Sequence, residues 1–184
     1  MSGATPSRAL EIELPGWVNE VVDWSSGYPD DEARMRLAIA LSRENVDRRT
    51  GGPFAAAVFE SDTGALVAVG VNCVERLGNA MPHGEVVALM FAQRRVGSFT
   101  LGGPAAPARE LVSSCEPCAM CVGAMFHARI RRVVFGAADP KTGAAGSTVN
   151  LFEEKRLNHH ALVQGGVLAA ECGALLSGFF ASRR

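Results

Sequence analysis

Two short motifs hold the residues that could do chemistry: His83-Gly84-Glu85 and, further along, Pro117-Cys118-Ala119-Met120-Cys121. His83, Cys118 and Cys121 make three zinc ligands. A structural zinc takes four protein ligands, whereas a catalytic zinc keeps its fourth position for water or substrate. The count therefore predicts a catalytic zinc and leaves Glu85 free to move protons. The metal would bring the pKa of a water in the fourth position toward neutrality. Glu85 would take that proton, the hydroxide would attack an amine-bearing ring carbon, and Glu85 would return protons to the ring nitrogen and the departing amine, releasing ammonia. A CxxC pair by itself also serves as a structural zinc knuckle or a redox pair. A non-catalytic zinc module is thus the competing expectation, and the unligated Glu85 argues against it.

For both thiolates to reach one metal, Cys118 and Cys121 must share a helix face. A spacing of three places them so on a helix predicted over 118–128, with Pro117 in the first turn, where a missing N–H costs nothing. The helix dipole there favours ionised thiols. His83 comes from the start of a second helix, predicted over 84–96, in which Gly84 fits badly because glycine costs helix stability. Upstream, Asp30 to about Arg49 reads as a helix with Ala33, Leu37, Ala40, Leu41 and Val46 at helical spacing, acidic residues in front and Arg48-Arg49 behind. After Gly51-Gly52-Pro53, Phe54 to Phe59 and Ala65 to Val71 read as a hairpin around Ser61-Asp62-Thr63-Gly64. Further strands are predicted over 110–114, 131–137 and 161–164, a helix around Val149 to Arg156, and an amphipathic helix from Val167 to Ser182. Strand-helix alternation after a hairpin implies a central sheet with helices on both faces. Residues 31–184 are expected to form a single domain. Residues 1–30 are expected to be an N-terminal extension packing on the domain or a partner subunit, because Ile12, Leu14, Trp17, Val18, Val21, Val22 and Trp24 are too apolar for a loose tail.

A chain of 184 residues buries a core without metal or disulfide staples. Its 48% hydrophobic and 20% charged residues exclude a disordered protein. A formal net charge of -1 removes the basic field that draws in nucleic acid. No apolar stretch approaches the roughly 20 residues of a membrane span, and the start MSGATPSRALEIE lacks a signal pattern, so a cytoplasmic protein with no membrane partner is expected. Two of the five cysteines sit in the CxxC, which favours a reducing compartment. Cys73, Cys115 and Cys172 fall in apolar segments and read as small buried hydrophobes.

Together the H-x-E and P-C-x-x-C halves resemble the signature of the zinc base deaminases. From about Asp31 to Arg184 the chain resembles the cytidine deaminase-like superfamily, in its nucleobase and tRNA deaminase branch. The resemblance implies a three-layer α/β/α sandwich with a mixed five-stranded sheet, one Zn2+ per subunit on His83, Cys118 and Cys121, Glu85 as proton shuttle, and a homodimer with the site near its interface. LEIELPGWV, EARM, GGPFAAAVFE and Ser114-Cys115-Glu116-Pro117-Cys118 are similar to bacterial guanine deaminases. CVGAMFHARIRRVVFGA, the loop Asp139 to Ser147 and the ending ECGALLSGFFASRR are similar to bacterial tRNA adenosine deaminases, whose equivalent loop and last helix help hold the anticodon loop. Asn72 matches a position in both groups whose amide contacts the base or sugar, and an amide suits a purine edge. Phe54, with Pro53, is expected to wall the pocket. Asp139 and Lys141 align with the loop that meets RNA, while Arg183-Arg184 stand where those enzymes continue into a basic tail. Pocket shape is expected to depend on the loops Leu77 to Pro82 and Phe99 to Pro107. The expected reaction is hydrolytic deamination of a nucleobase, nucleoside or related aminated heterocycle, guanine leading. Adenosine-to-inosine deamination of tRNA is the alternative, disfavoured by the near-neutral charge.

Overall fold

The computed structural model describes residues 9–104 and 106–183; the opening MSGATPSR, Ala105 and Arg184 lie outside them. A short helix α1 (Val18–Val21) precedes the long α2 (Asp31–Asp47). Asp30 starts α2 by accepting the Ala33 N–H at 2.8 Å, which satisfies one of the unpaired donors of the first turn. The buried face of α2 is wider than its sequence period implied, running through Met35, Ala38, Ile39, Leu41, Ser42 and Asn45. The sheet covers it from one side, while Trp17, Val18 and Val22 join the same apolar cluster from the N-terminal segment. Ile12, Leu14 and Val21 lie against the same cluster, and Trp17 Nε1 donates to Thr50 Oγ1 at 3.1 Å.

The strands are β1 (Ala55–Glu60), β2 (Leu66–Val71), β3 (Arg109–Cys115), β4 (Arg132–Ala137) and β5 (Leu162–Gly165). They form one sheet in the order β2-β1-β3-β4-β5. β1 pairs antiparallel with β2 and β3, whereas β3, β4 and β5 run parallel. Alternation along β1 shows why both faces need cover: Ala55, Ala57 and Phe59 enter one apolar cluster, Ala56 and Val58 the other. The remaining helices are α3 (Val74–Leu77), α4 (Gly84–Val96), α5 (Ala119–Ala128) and α6 (Ala169–Ala181). α2 and α6 contact each other over one face and α4 and α5 over the other, giving the expected three layers and mixed five-stranded sheet. An ion network closes one end of the sheet. Glu110, 1% exposed, pairs with Arg34 at 2.5 Å and Arg132 at 3.0 Å, and Arg132 reaches Asp31 at 2.6 Å. No helix among the described residues is long and apolar enough to cross a membrane.

Three details correct the sequence reading. The helix expected around Val149 to Arg156 is a single 3-10 turn, Leu151–Glu153. Its neighbours are tied back to the preceding loop, Leu151 N–H donating to Ala144 O and Ala145 bridging Asn150, and Phe152 is drawn into the core. Pro117 lies outside α5, because Cys118 is the N-cap with extended φ and ψ. Gly84 is a close-approach residue at the start of α4: a Cβ there would stand 2.9 Å from Phe54 O and 3.0 Å from Ala55 Cα. The α1 and α3 turns are too short to show a period in sequence.

Candidate active site

The start of α4 and the start of α5 converge at the carboxyl ends of β3 and β4, the edge where open α/β sheets place their ligands. His83 is the N-cap of α4 and Cys118 that of α5, so neither side chain is spent on capping. Cys121 lies one turn into α5. His83 Nδ1 is 3.7 Å from Cys118 Sγ and 3.6 Å from Cys121 Sγ, and the two sulfurs are 3.6 Å apart. A tetrahedral zinc with Zn–S near 2.3 Å and Zn–N near 2.0 Å needs ligand atoms about 3.5–3.8 Å apart. This triangle therefore fits zinc, with three ligands and one open face. A zinc held by these residues supplies Lewis acidity and lowers the pKa of water.

The thiols are unequal. The hydrogen bond shared with Cys121, together with one to His83, brings Cys118 down to about 4 against the pull of its burial. The same thiol contact and burial move Cys121 upward. His83 is raised, first by its bond with Cys118 and then by the nearby Glu85 charge. Glu85, two residues into the same helix start, is 6% exposed, and burial raises its pKa. A carboxyl shifted that way is suited to carry a proton near neutral pH.

A cavity of about 120 Å³ joins these groups; Phe54, Asn72, His83, Glu85, Cys118 and Asp139 line it, together with Cys115, Glu116 and Thr142. His83, Cys118 and Cys121 thus form the ligand triangle, and Glu85, Asn72, Phe54 and Asp139 lie against this cavity. Pro53 is buried outside the lining, and no lining residue comes from Leu77 to Pro82 or Phe99 to Pro107. The loop after β4 forms that wall instead. A larger groove of about 440 Å³ between Leu10–Glu13 and α4 holds no comparable donor set.

Longer-range bonds set the walls. Asn72 N–H donates to Phe54 O at 2.8 Å, while buried Asn45 donates to Gly52 O at 2.8 Å and Asn72 O at 3.0 Å. The Asn72 side-chain oxygen accepts Val74 N–H at 3.3 Å, which leaves its NH2 as the free end. Asp139 turns its carboxylate into its own loop, accepting Lys141 N–H at 2.9 Å and the Thr142 hydroxyl at 2.5 Å. Glu116, to which the sequence assigned no role, is 4% exposed and accepts backbone N–H groups from Asp139, Ala145 and Ser147. Burial alone would raise its pKa, but these donors and the Ser147 hydroxyl hold it below the usual value. Its position directly before Pro117-Cys118 was the available signal.

Comparison with known proteins agrees with this geometry. The family model for the cytidine and deoxycytidylate deaminase zinc-binding region matches residues 29–137. A tRNA-specific adenosine deaminase from Haemophilus influenzae is 36% identical over 154 residues, covering 84% of this chain and 85% of that protein. The solved guanine deaminase from Nitrosomonas europaea is 33% identical with a TM-score of 0.84, covering 97% of this chain and 100% of the other. A structure from work on A-to-I editing by tRNA:A34 deaminases has 31% identity and a TM-score of 0.70, covering 78% of this chain and 98% of the other. The ligand triangle, the buried carboxyl beside it and these matches together establish that the chain belongs to the zinc-binding cytidine and deoxycytidylate deaminase family, and is a zinc-dependent hydrolytic deaminase.

Proposed function

We propose that this chain deaminates a free aminated purine, with guanine the leading substrate, exchanging the ring amine for a carbonyl and releasing ammonia. The observation that carries the reading is the small cavity, about 120 Å³, bounded by an aromatic ring and an amide. Drug-sized ligands occupy roughly 300–1,000 Å³, so this one suits a single base. Phe54 offers a ring face for stacking and is itself backed by Phe180 of α6 at 6.5 Å between centroids. The free NH2 of Asn72 donates to a ring acceptor. Glu85 takes the protons of the attacking water in turn and passes them to the ring nitrogen and the departing amine. The similarity to the guanine deaminase of Nitrosomonas europaea, which extends over nearly the whole chain, supports this choice.

Adenosine deamination in tRNA is the second reading, favoured by the 36% identity to the Haemophilus influenzae enzyme. A net charge of -1 weighs against it, since phosphate contacts supply most of the affinity for RNA. The test is to incubate the zinc-loaded protein separately with guanine and with an anticodon stem-loop bearing adenosine. Ammonia from guanine and no inosine in the RNA is expected; inosine with guanine left intact overturns the reading.

A further inference from the structure

Glu116 takes no part in the proton transfers above, yet the loop from Asp139 to Ser147 is built around it. Its carboxylate accepts Asp139 N–H at 3.0 Å, Ala145 N–H at 2.9 Å, Ser147 N–H at 3.0 Å and the Ser147 hydroxyl. A buried carboxylate held by several N–H groups forms charge-assisted bonds, the stronger kind. Neighbouring backbone locks the same unit: Ala144 N–H donates to Pro117 O at 2.8 Å, and Gly143 bridges Cys118. A Cβ on Gly143 would run into the Glu116 carboxylate and the Asp139 carbonyl, so glycine there lets the loop close on the acid. Asp139 and Thr142 of this loop line the cavity beside Glu116.

We propose that Glu116 is a positioning residue for substrate: it fixes the Asp139–Thr142 wall in register with the ligand Cys118, and so sets how tightly the base is held rather than how fast it reacts. The Asp139 carboxylate is already occupied by Lys141 and Thr142, so the turn keeps its internal shape. What Glu116 supplies is its placement over the cavity. The inference rests on the family's deaminase reaction and not on which base is taken.

The test compares the zinc-loaded wild type with Glu116→Gln, which is nearly isosteric but turns one acceptor oxygen into a donor. Ser147→Ala removes the hydroxyl bond from the loop side without touching the metal motif. Amide hydrogen exchange at Asp139, Ala145 and Ser147 is expected to quicken by about tenfold or more in Glu116→Gln, the size of losing one or two charged hydrogen bonds. With guanine as the probe, KM is expected to rise by about tenfold while kcat stays within about threefold, the signature of lost ground-state binding. Zinc is expected to stay at one per chain, with Glu116→Asp intermediate in KM. Unchanged exchange at the three amides overturns the proposal, as does faster exchange with KM unmoved, or loss of zinc with kcat and KM changing together. If Glu116→Gln does not fold, Ser147→Ala is read by the same criteria. Should the wild type leave guanine untouched, the substrate reading fails by itself, and the same exchange and KM criteria are read with the adenosine-bearing anticodon stem-loop as probe.

Discussion

The side chain of Asn45, near the end of α2, donates to the backbone carbonyl of Asn72, 27 positions later and at the rim of the active-site cavity. Asn45 has no exposed surface, and its second bond reaches Gly52 O at 2.8 Å. Asn45→Ala takes this donor from the buried Asn72 carbonyl, while Gly52 O keeps the Phe54 N–H. An unsatisfied buried group costs about 1–3 kcal/mol, so a loss of that size is expected in urea denaturation, with a weaker hold on substrate because the Asn72 rim loosens. A variant as stable as the wild type removes this account of the rim.

Gly84→Ala tests the junction of α4 and β1. Alanine is worth up to about 1 kcal/mol over glycine in a helix, yet here its Cβ would press on the backbone of Phe54 and Ala55. Overpacking of this kind costs about 1–3 kcal/mol. A lower Tm is expected, with weaker zinc binding in competition with a chromophoric chelator, since the adjacent His83 moves with the helix start. A rise in Tm would show that the approach is looser than drawn.

Glu85→Gln removes the proposed proton carrier and leaves His83, Cys118 and Cys121 in place. Ammonia release is expected to fall by about 10²- to 10⁴-fold while metal analysis still finds one zinc per chain. Retained activity in the variant sinks the assigned role.

Acid stability tests the ion network. The hydrogen bond from Arg132 is the first cause of the lowered Asp31 pKa. A carboxylate with a depressed folded-state pKa stabilises the fold fully above its unfolded value of about 3.9 and loses that contribution as pH falls through the folded value. Because Asp31 and Arg132 are each about a quarter exposed, the contribution is about 1 kcal/mol or less. The stability gap between wild type and Asp31→Asn, measured by denaturation across pH 2–7, is expected to be level above about pH 5 and to close below about pH 4. A gap that widens in acid contradicts this assignment.

The amino-acid sequence by itself determined the chemistry-bearing residues and the elements carrying them. Cys118 and Cys121 share a face because a spacing of three is a property of any helix. The 84–96 helix, the β1–β2 hairpin and the strand-helix alternation are likewise periods and turns read within a few neighbours. Tertiary structure alone decided what depends on distant partners. Glu116 reaches Ser147 across 31 positions and Asn45 reaches Asn72 across 27; neither bond has a local pattern. The loop after β4 came to wall the cavity, rather than the loops nearer His83, because parallel pairing of β3 with β4 brings Cys115 beside Ala137 and so lays Asp139 against Glu116. The misfit of Gly84 in an isolated helix is resolved in the same way, by a neighbouring strand that the helix sequence does not contain.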